Sequence, residues 1–256
     1  MFSSRKTLYS LAVLGLLLVA CSKDISVGQG DTVDNRNIFI STFITHSGAQ
    51  FSKDSLYEDA SGNLYVIDEV KMIISDFYIE SRGETFTDTN SFAVVDLTQN
   101  RFPLLEVPAG SYSGEYGFRV GLSQSNNAKT PDAFPENSGL RNPVLYRGPI
   151  GTYKGYNFVY IQGRTFDPTK PLEVEPSLPF IYELGDTLSL MRSRGKNFTI
   201  SNDQDAEFDV RIDLDKMLKP FDVYDTDFIQ SRPNQPSDYN NAMLLRLQVD
   251  SSLVLF

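Results

Sequence analysis

Few residues in this chain are equipped for chemistry. Of the two side chains that serve best as soft-metal ligands, nucleophiles or neutral-pH bases, each occurs once in 256 residues: Cys21 and His46. His46 stands in Phe43-Ile44-Thr45-His46-Ser47-Gly48 and is the sole base for any Ser–His pair. Beside a Gly it reads first as a polar turn residue and second as a metal ligand. Asp203-Gln204-Asp205-Ala206-Glu207 alternates carboxylates, yet lacks the sixth-position Gly and the distal bidentate Glu of a calcium loop. It reads as a charged hairpin. Tyr153, Tyr156, Phe158 and Tyr160 have the spacing of a sugar-stacking platform, but with no Trp in the chain they read as strand and core residues. No Gly-x-Ser-x-Gly elbow, His-Glu-x-x-His helix or phosphate loop occurs. A carboxylate pair for glycoside hydrolysis is a matter of distance in space, not of spacing along the chain. Nothing here argues for an enzyme.

Cys21 has a different use. Arg5 and Lys6 precede an apolar run over residues 11–20, and Leu18-Val19-Ala20-Cys21 resembles a lipobox, the motif at which a lipoprotein signal peptide is cut before a lipidated Cys. The run is about half of the roughly 20 residues a spanning helix needs. Residues 1–20 are therefore expected to be a signal peptide, and Cys21 the lipid attachment site. Their removal takes away two cations and no acid, moving the net charge from −10 to −12. So acidic a chain has no electrostatic route to phosphate backbones, which argues against nucleic acid as a partner. With its one thiol alkylated, it holds neither disulfide nor thiolate site.

These residues need elements to position them. Residues 22–37 are polar, contain Gly and show no periodicity, so residues 21–37 read as a lipidated flexible tether. Within it Asp31-Thr32-Val33 resembles a bacterial O-glycosylation tripeptide, making Thr32 a candidate attachment site. From residue 38 to 256 the pattern is one domain of short strands. Residues 112–122 and 208–214 alternate apolar and polar side chains, and 70–79, 91–97, 155–164 and 197–201 are further strands. Residues 123–152 and the four-proline stretch 167–179 read as irregular, the latter as a loop or an edge. Helix is minor: one turn over 215–219 and a short helix capped by Ser237 and running through 247, before a last strand at 253–256. The fold class expected is all-β, an antiparallel β-sandwich with long irregular loops.

Several segments, taken in order, resemble the MbnP-like copper-binding domain family, named after a periplasmic protein associated with methanobactin. They are Tyr57-Glu58-Asp59-Ala60-Ser61-Gly62-Asn63-Leu64-Tyr65, Lys71-Met72-Ile73-Ile74-Ser75-Asp76-Phe77, Val107-Pro108-Ala109-Gly110-Ser111-Tyr112, Phe118-Arg119-Val120-Gly121-Leu122, Gly155-Tyr156-Asn157-Phe158 and Phe180-Ile181-Tyr182-Glu183-Leu184-Gly185. The resemblance implies a β-sandwich of the periplasm or a lipoprotein, often with a di-haem peroxidase-like or outer-membrane transporter partner, that holds copper through His and an oxidised Trp. This chain departs from that pattern at two places. Glu183 stands where the family has His, and Val144-Leu145-Tyr146-Arg147-Gly148 stands where it has a Trp-rich step. Of the family's usual His positions only His46 remains, so the copper site is expected to be largely lost, with His46 and Glu183 as weak metal candidates. Glu183 reads as a solvated strand-end carboxylate or, failing that, a ligand for a harder cation.

The expected role is a non-enzymatic, lipid-anchored binding or accessory subunit of an outer-membrane complex, docking through residues 123–152; the alternative is copper or other metal binding in the envelope. Ser22-Lys23-Asp24 resembles part of the Lys-acidic signals that send some lipoproteins to the cell surface, so the outer membrane is the expected location, with both the outward and the periplasmic orientation open. Lipid chains anchor by burying methylenes at about 0.8 kcal/mol each, and one short chain holds only marginally. Intact-mass measurement of native protein should therefore find Cys21 as a multiply acylated N-terminus, and Cys21→Ser should leave a soluble protein or an uncleaved precursor. An unmodified Cys21 would overturn this reading.

Overall fold

A computed structural model describes residues 35–53, 55–97, 101–112, 114–148, 155–169, 178–185, 191–194, 200, 204–230 and 236–255. Cys21, Thr32, Tyr153 and Asp203, with the signal peptide and most of the tether, lie outside them. In chain order the strands are β1 (Asn35–His46), β2 (Ala49–Gln50), β3 (Tyr57–Glu58), β4 (Leu64–Ser81), β5 (Glu84–Thr87), β6 (Phe92–Asp96) and β7 (Arg101–Pro108). They continue with β8 (Gly114–Val120), β9 (Asn157–Thr165), β10 (Leu178–Gly185), β11 (Met191–Arg194), β12 (Ala206–Asp213), β13 (Phe228–Gln230) and β14 (Leu253–Leu255). Three α-helices, α1 (Gln124–Asn127), α2 (Leu214–Leu218) and α3 (Pro236–Ser252), and two 3-10 turns at Pro131–Ala133 and Gly139–Arg141 complete the described elements.

Among the described residues the strands form two sheets. The smaller runs β14-β12-β1-β2, with β7 also paired to β1; the larger runs β11-β8-β4-β9-β10-β13, with β3, β5 and β6 paired to β4. The sandwich is as expected, but each sheet is mixed. β1 runs parallel to β12 from Ile38↔Ala206 to Thr45↔Asp213, and β10 runs parallel to β13. Alternation fixes which side chains face inward and is the same for either strand direction, so pairing sense is not written in it. β1 also begins before residue 38: residues 35–37 pair with β7, and the Asn37 N–H donates to Asp205. The turn at 82–83 is a tight hairpin in which both residues have positive φ, 52° and 83°. Pro179 lies in β10 ahead of the stretch that β13 covers, where a missing N–H costs no ladder bond. α3 opens on Pro236, so Ser237 sits in its first turn rather than at its cap, and the helix runs on to Ser252.

β4 is the spine of the larger sheet, pairing with β9 over residues 65–72 and with β8 over 74–81. Register shifts near Asp68 and Asp76 each insert a residue, and each moves the inward phase by one. Tyr65 and Ile67, then Val70, Met72 and Ile74, then Phe77 and Ile79 enter the inter-sheet core. At the second bulge Asp76 takes φ 49° and pairs with Arg119 at 2.9 Å. Between the bulges Ile73 points the other way, into a second apolar layer of Leu122, Phe134, Leu140, Leu145, Tyr156, Phe158 and Tyr160. Residues 70–75 are thus buried on both faces.

The segment that covers the second layer is the irregular stretch after β8. It is not a free loop. The Tyr156 N–H donates to Asn127 Oδ1 at 2.8 Å, the Asn157 N–H to the Leu145 carbonyl at 2.7 Å, and Tyr146 forms a bridge with Tyr156. Gly155 (φ 82°) makes this closure possible: a Cβ there would lie 2.2 Å from the Asn127 carbonyl oxygen. Gly121 (φ 123°) plays the same part at the start, donating its N–H to the Ile73 carbonyl at 2.8 Å and accepting from Ser75 Oγ at 2.7 Å. A Cβ on Gly121 would lie 2.6 Å from the Phe158 ring. Gly121→Ala should therefore cost about 2–4 kcal/mol, from a disfavoured φ and overpacking together, read as a lower urea midpoint at unchanged slope.

Candidate functional site

His46 ends β1, just before Ser47 and Gly48, whose φ values of 49° and 79° turn the chain into β2. It was expected as a polar turn residue; instead it is 5% exposed. The reason is the segment Tyr57–Tyr65, whose two tyrosines are direct cross-strand partners of the β3–β4 hairpin. The Tyr57 ring lies 4.0 Å from the imidazole, centroid to centroid, and its hydroxyl is fixed by the backbone of Ser52, donating at 2.8 Å and accepting at 2.9 Å. The Tyr65 hydroxyl meets His46 Nε2 at 2.7 Å, and Ser47 Oγ meets Nδ1 at 3.2 Å. Each hydroxyl both donates and accepts, so either imidazole tautomer is satisfied at both nitrogens.

The turn between the tyrosines is held by carboxylates. Asp59 accepts the backbone N–H groups of Ser61 and Asn63 at 2.9 and 2.8 Å and, from across the molecule, that of Val223 at 2.9 Å. The Asn63 side chain joins Asp59 to Asp222, at 3.0 and 2.8 Å. The N–H groups of Tyr224 and Asp225 donate to Asp222 as well, and the bond from Asp225 leads in holding its carboxyl below the usual range. Burial holds the His46 pKa below its ordinary value against the opposing charges of Asp215 and Asp213, and pushes the Tyr65 hydroxyl well above its own. The outcome is a neutral imidazole capped by hydroxyls.

Glu183 is equally far from the expected solvated carboxylate. Tyr182 and Leu184 enter the inter-sheet core while Ile181 packs on the second layer, so Glu183 shares the outer face of the larger sheet with Ile181. There its side chain is 13% exposed and pairs with Arg147 at 3.3 Å. Asn157 Nδ2 donates to it at 3.0 Å and Gln230 Nε2 at 2.5 Å. Asn157 and Gln230 carried no signal in the sequence, since neither type nor spacing set them apart.

The structure does not bring His46 and Glu183 together: one lies between the sheets and the other beneath the excursion. Among the described residues no three His, Cys, Asp or Glu side chains gather as a metal-holding group. Copper through imidazole and sulfur does not fit this donor set, because the one imidazole has both nitrogens engaged. The acidic run is dispersed: Asp205 serves Asn37, while Glu207 accepts from Ser41 and Arg101, which hold its carboxyl below the usual range. Tyr156, Phe158 and Tyr160 are buried in the second layer and offer no stacking platform. No described helix is long and apolar enough to cross a membrane.

Fold and site together define a two-sheet β-sandwich whose marked residues are sealed polar groups rather than an open reactive centre. The chain belongs to the MbnP family: the MbnP family model matches residues 41–237. Among solved structures it is similar to MbnP from Methylosinus trichosporium, with 11% identity and a TM-score of 0.50, over 78% of this chain and 82% of that one. At that identity the likeness concerns the fold. No curated protein matches the chain in sequence.

The neutral His46 has a measurable consequence. Its folded pKa is depressed from 6.5, so below that pH the unfolded chain binds the proton first. Stability is full above about pH 6.5 and falls as the pH drops towards the folded value, by up to about 1.4 kcal/mol per unit. In denaturation from pH 7.5 to 5.5, this slope should be present in the natural protein and missing from His46→Gln. Equal slopes would show that His46 is not held neutral.

Proposed function

We propose that this MbnP-family chain is a non-catalytic binding or accessory protein of the cell envelope, anchored through Cys21 to the outer membrane and acting as a subunit of an outer-membrane complex. One observation carries the non-catalytic part: the only imidazole of the chain has both nitrogens committed to the hydroxyls of Tyr65 and Ser47, leaving no imidazole to activate a Ser nucleophile. The excursion after β8 supports the accessory part. Its inner side is fastened to the sheet by Asn127, Leu145 and Arg147, so its outer side can be presented to a partner without ordering a loop on binding. A chain this acidic, of net charge −12 once residues 1–20 are removed, would associate fastest with a cationic partner surface, and less tightly as salt is added.

Family membership favours a second reading more directly than the accessory one: binding of copper or another metal in the envelope, with a di-haem peroxidase-like or transporter partner, as the resemblance implies. In this chain that reading would need His46 released from its hydroxyl partners. The two readings separate in one preparation. Solubilised membranes should yield the protein together with an outer-membrane partner, and the purified protein should keep less than about 0.1 equivalent of copper after exposure and desalting. Near-stoichiometric copper that disappears in His46→Ala would establish the metal reading. Purification as a lone chain without copper would overturn both.

A further inference from the structure

Among the described residues β6 is paired on one side only, with β4. Ile74 of β4 has Ala93 of β6 and Val120 of β8 as partners, so β6 and β8 flank β4 on opposite sides. On the β8 side the Ile73 carbonyl accepts the Gly121 N–H at 2.8 Å. Ile73 and its partner Val94 are therefore a non-hydrogen-bonded pair, and Val94 turns its N–H and C=O away from β4. By the two-residue period of a strand Phe92 and Asp96 do the same. Open edges are commonly guarded by Lys, Pro or a bulge. Phe92-Ala93-Val94-Val95-Asp96 carries none of these.

This strand lines a groove of about 590 Å³. One wall is the excursion, which follows β6 along its length. Asn126 Nδ2 donates to the Thr89 carbonyl at 3.3 Å, Phe134 meets Phe92 edge-on at 5.5 Å, and a Cβ on Gly139 would come within 2.7 Å of Val94. Phe102 and Pro103 of β7 form the other wall. Arg141 Nε, donating to the Phe134 carbonyl at 2.9 Å, holds the excursion in place, so the groove is formed before anything enters it. Its lining contains no acid and one cation, Lys129, whose Nζ donates to Asn126 Oδ1 at 2.7 Å and has no carboxylate partner among the described residues. We propose that the groove receives an extended segment of the partner protein, which adds to β6 as a further strand and brings a carboxylate to Lys129. Main-chain bonds to the open edge supply affinity, and Lys129 sets the register. A second copy of this acidic chain is the poorer occupant, because the two copies repel. The inference rests on the accessory reading above and names its surface. Long-range attraction to a cationic partner is compatible with one local carboxylate, since the latter is felt only at contact.

The probe is a photo-cross-linker, p-benzoylphenylalanine, placed at Ala133, an exposed position on the groove wall. In the full-length protein in its native host, irradiation should join it to one segment of an outer-membrane protein, and mass spectrometry should find an Asp, a Glu or a chain terminus in that segment. Val94→Pro removes the edge N–H without taking a bond from β4, so the protein should still fold while the cross-link falls at least about tenfold. Lys129→Glu should lower it as far, and Lys129→Arg should stay within about twofold of the natural chain. A cross-link to a second copy of this chain, or one unchanged in folded Val94→Pro or in Lys129→Glu, would overturn the proposal. A partner that co-purifies yet never cross-links at position 133 would overturn it as well and leave the accessory reading standing; absence of any partner would end both. Should Val94→Pro fail to fold, the two Lys129 variants decide.

Discussion

Residues 70–75 of β4 send side chains into two apolar layers at once, and the rest of the molecule is arranged to keep both layers dry. On one side Val70, Met72 and Ile74 meet the smaller sheet; on the other Ile73 meets Phe158, Leu140 and their neighbours. A strand apolar on both faces needs a cover on both. The second sheet supplies one and the excursion after β8 the other. Two bulges make this possible, because each resets the inward phase, so that one 18-residue strand serves the core along its whole length.

The excursion could not be held by apolar contact alone, since a connection lying on a sheet brings polar backbone groups with it. Its fastenings answer that need one by one. Asn127 takes the Tyr156 N–H, Leu145 takes the Asn157 N–H, and the Arg147 N–H reaches the Gly155 carbonyl at 2.8 Å. The Arg147–Glu183 pair belongs to the same set. A largely buried ion pair of this kind contributes little net stability, because desolvation offsets most of the attraction, but breaking it would leave a charge stranded. It fixes where the segment lies.

The same logic explains why the histidine is closed. His46 lies where the β1–β2 hairpin meets the β3–β4 hairpin, and the Asp59–Asn63 turn that pairs Tyr57 with Tyr65 is itself tied to the loop containing Asp222. A neutral imidazole with two hydroxyl neighbours meets the rule that a buried polar group be bonded, and needs no counter-charge. The carboxylates that would otherwise read as ligands are occupied with backbone N–H groups.

By itself the sequence determined the strand content, the sandwich, the family pattern and the scarcity of metal-binding and catalytic side chains. These follow from residue type and spacing: alternation sets inward faces over 208–214, and one His with one Cys limits the chemistry wherever they lie. Tertiary structure decided the rest. The parallel pairing of β1 with β12 joins residues about 170 positions apart, and alternation is indifferent to direction. The bulges that lengthen β4 from the expected 70–79 to Leu64–Ser81 are steps in pairing, set by partners rather than by the strand's own residues. His46 looked like a turn residue because its neighbours are, and Glu183 like an exposed carboxylate because strand ends commonly are. Both are closed in by side chains distant along the chain: Tyr57 and Tyr65 for the one, Arg147, Asn157 and Gln230 for the other. Burial is a property of what packs on a residue, and that is known only once the chain has folded.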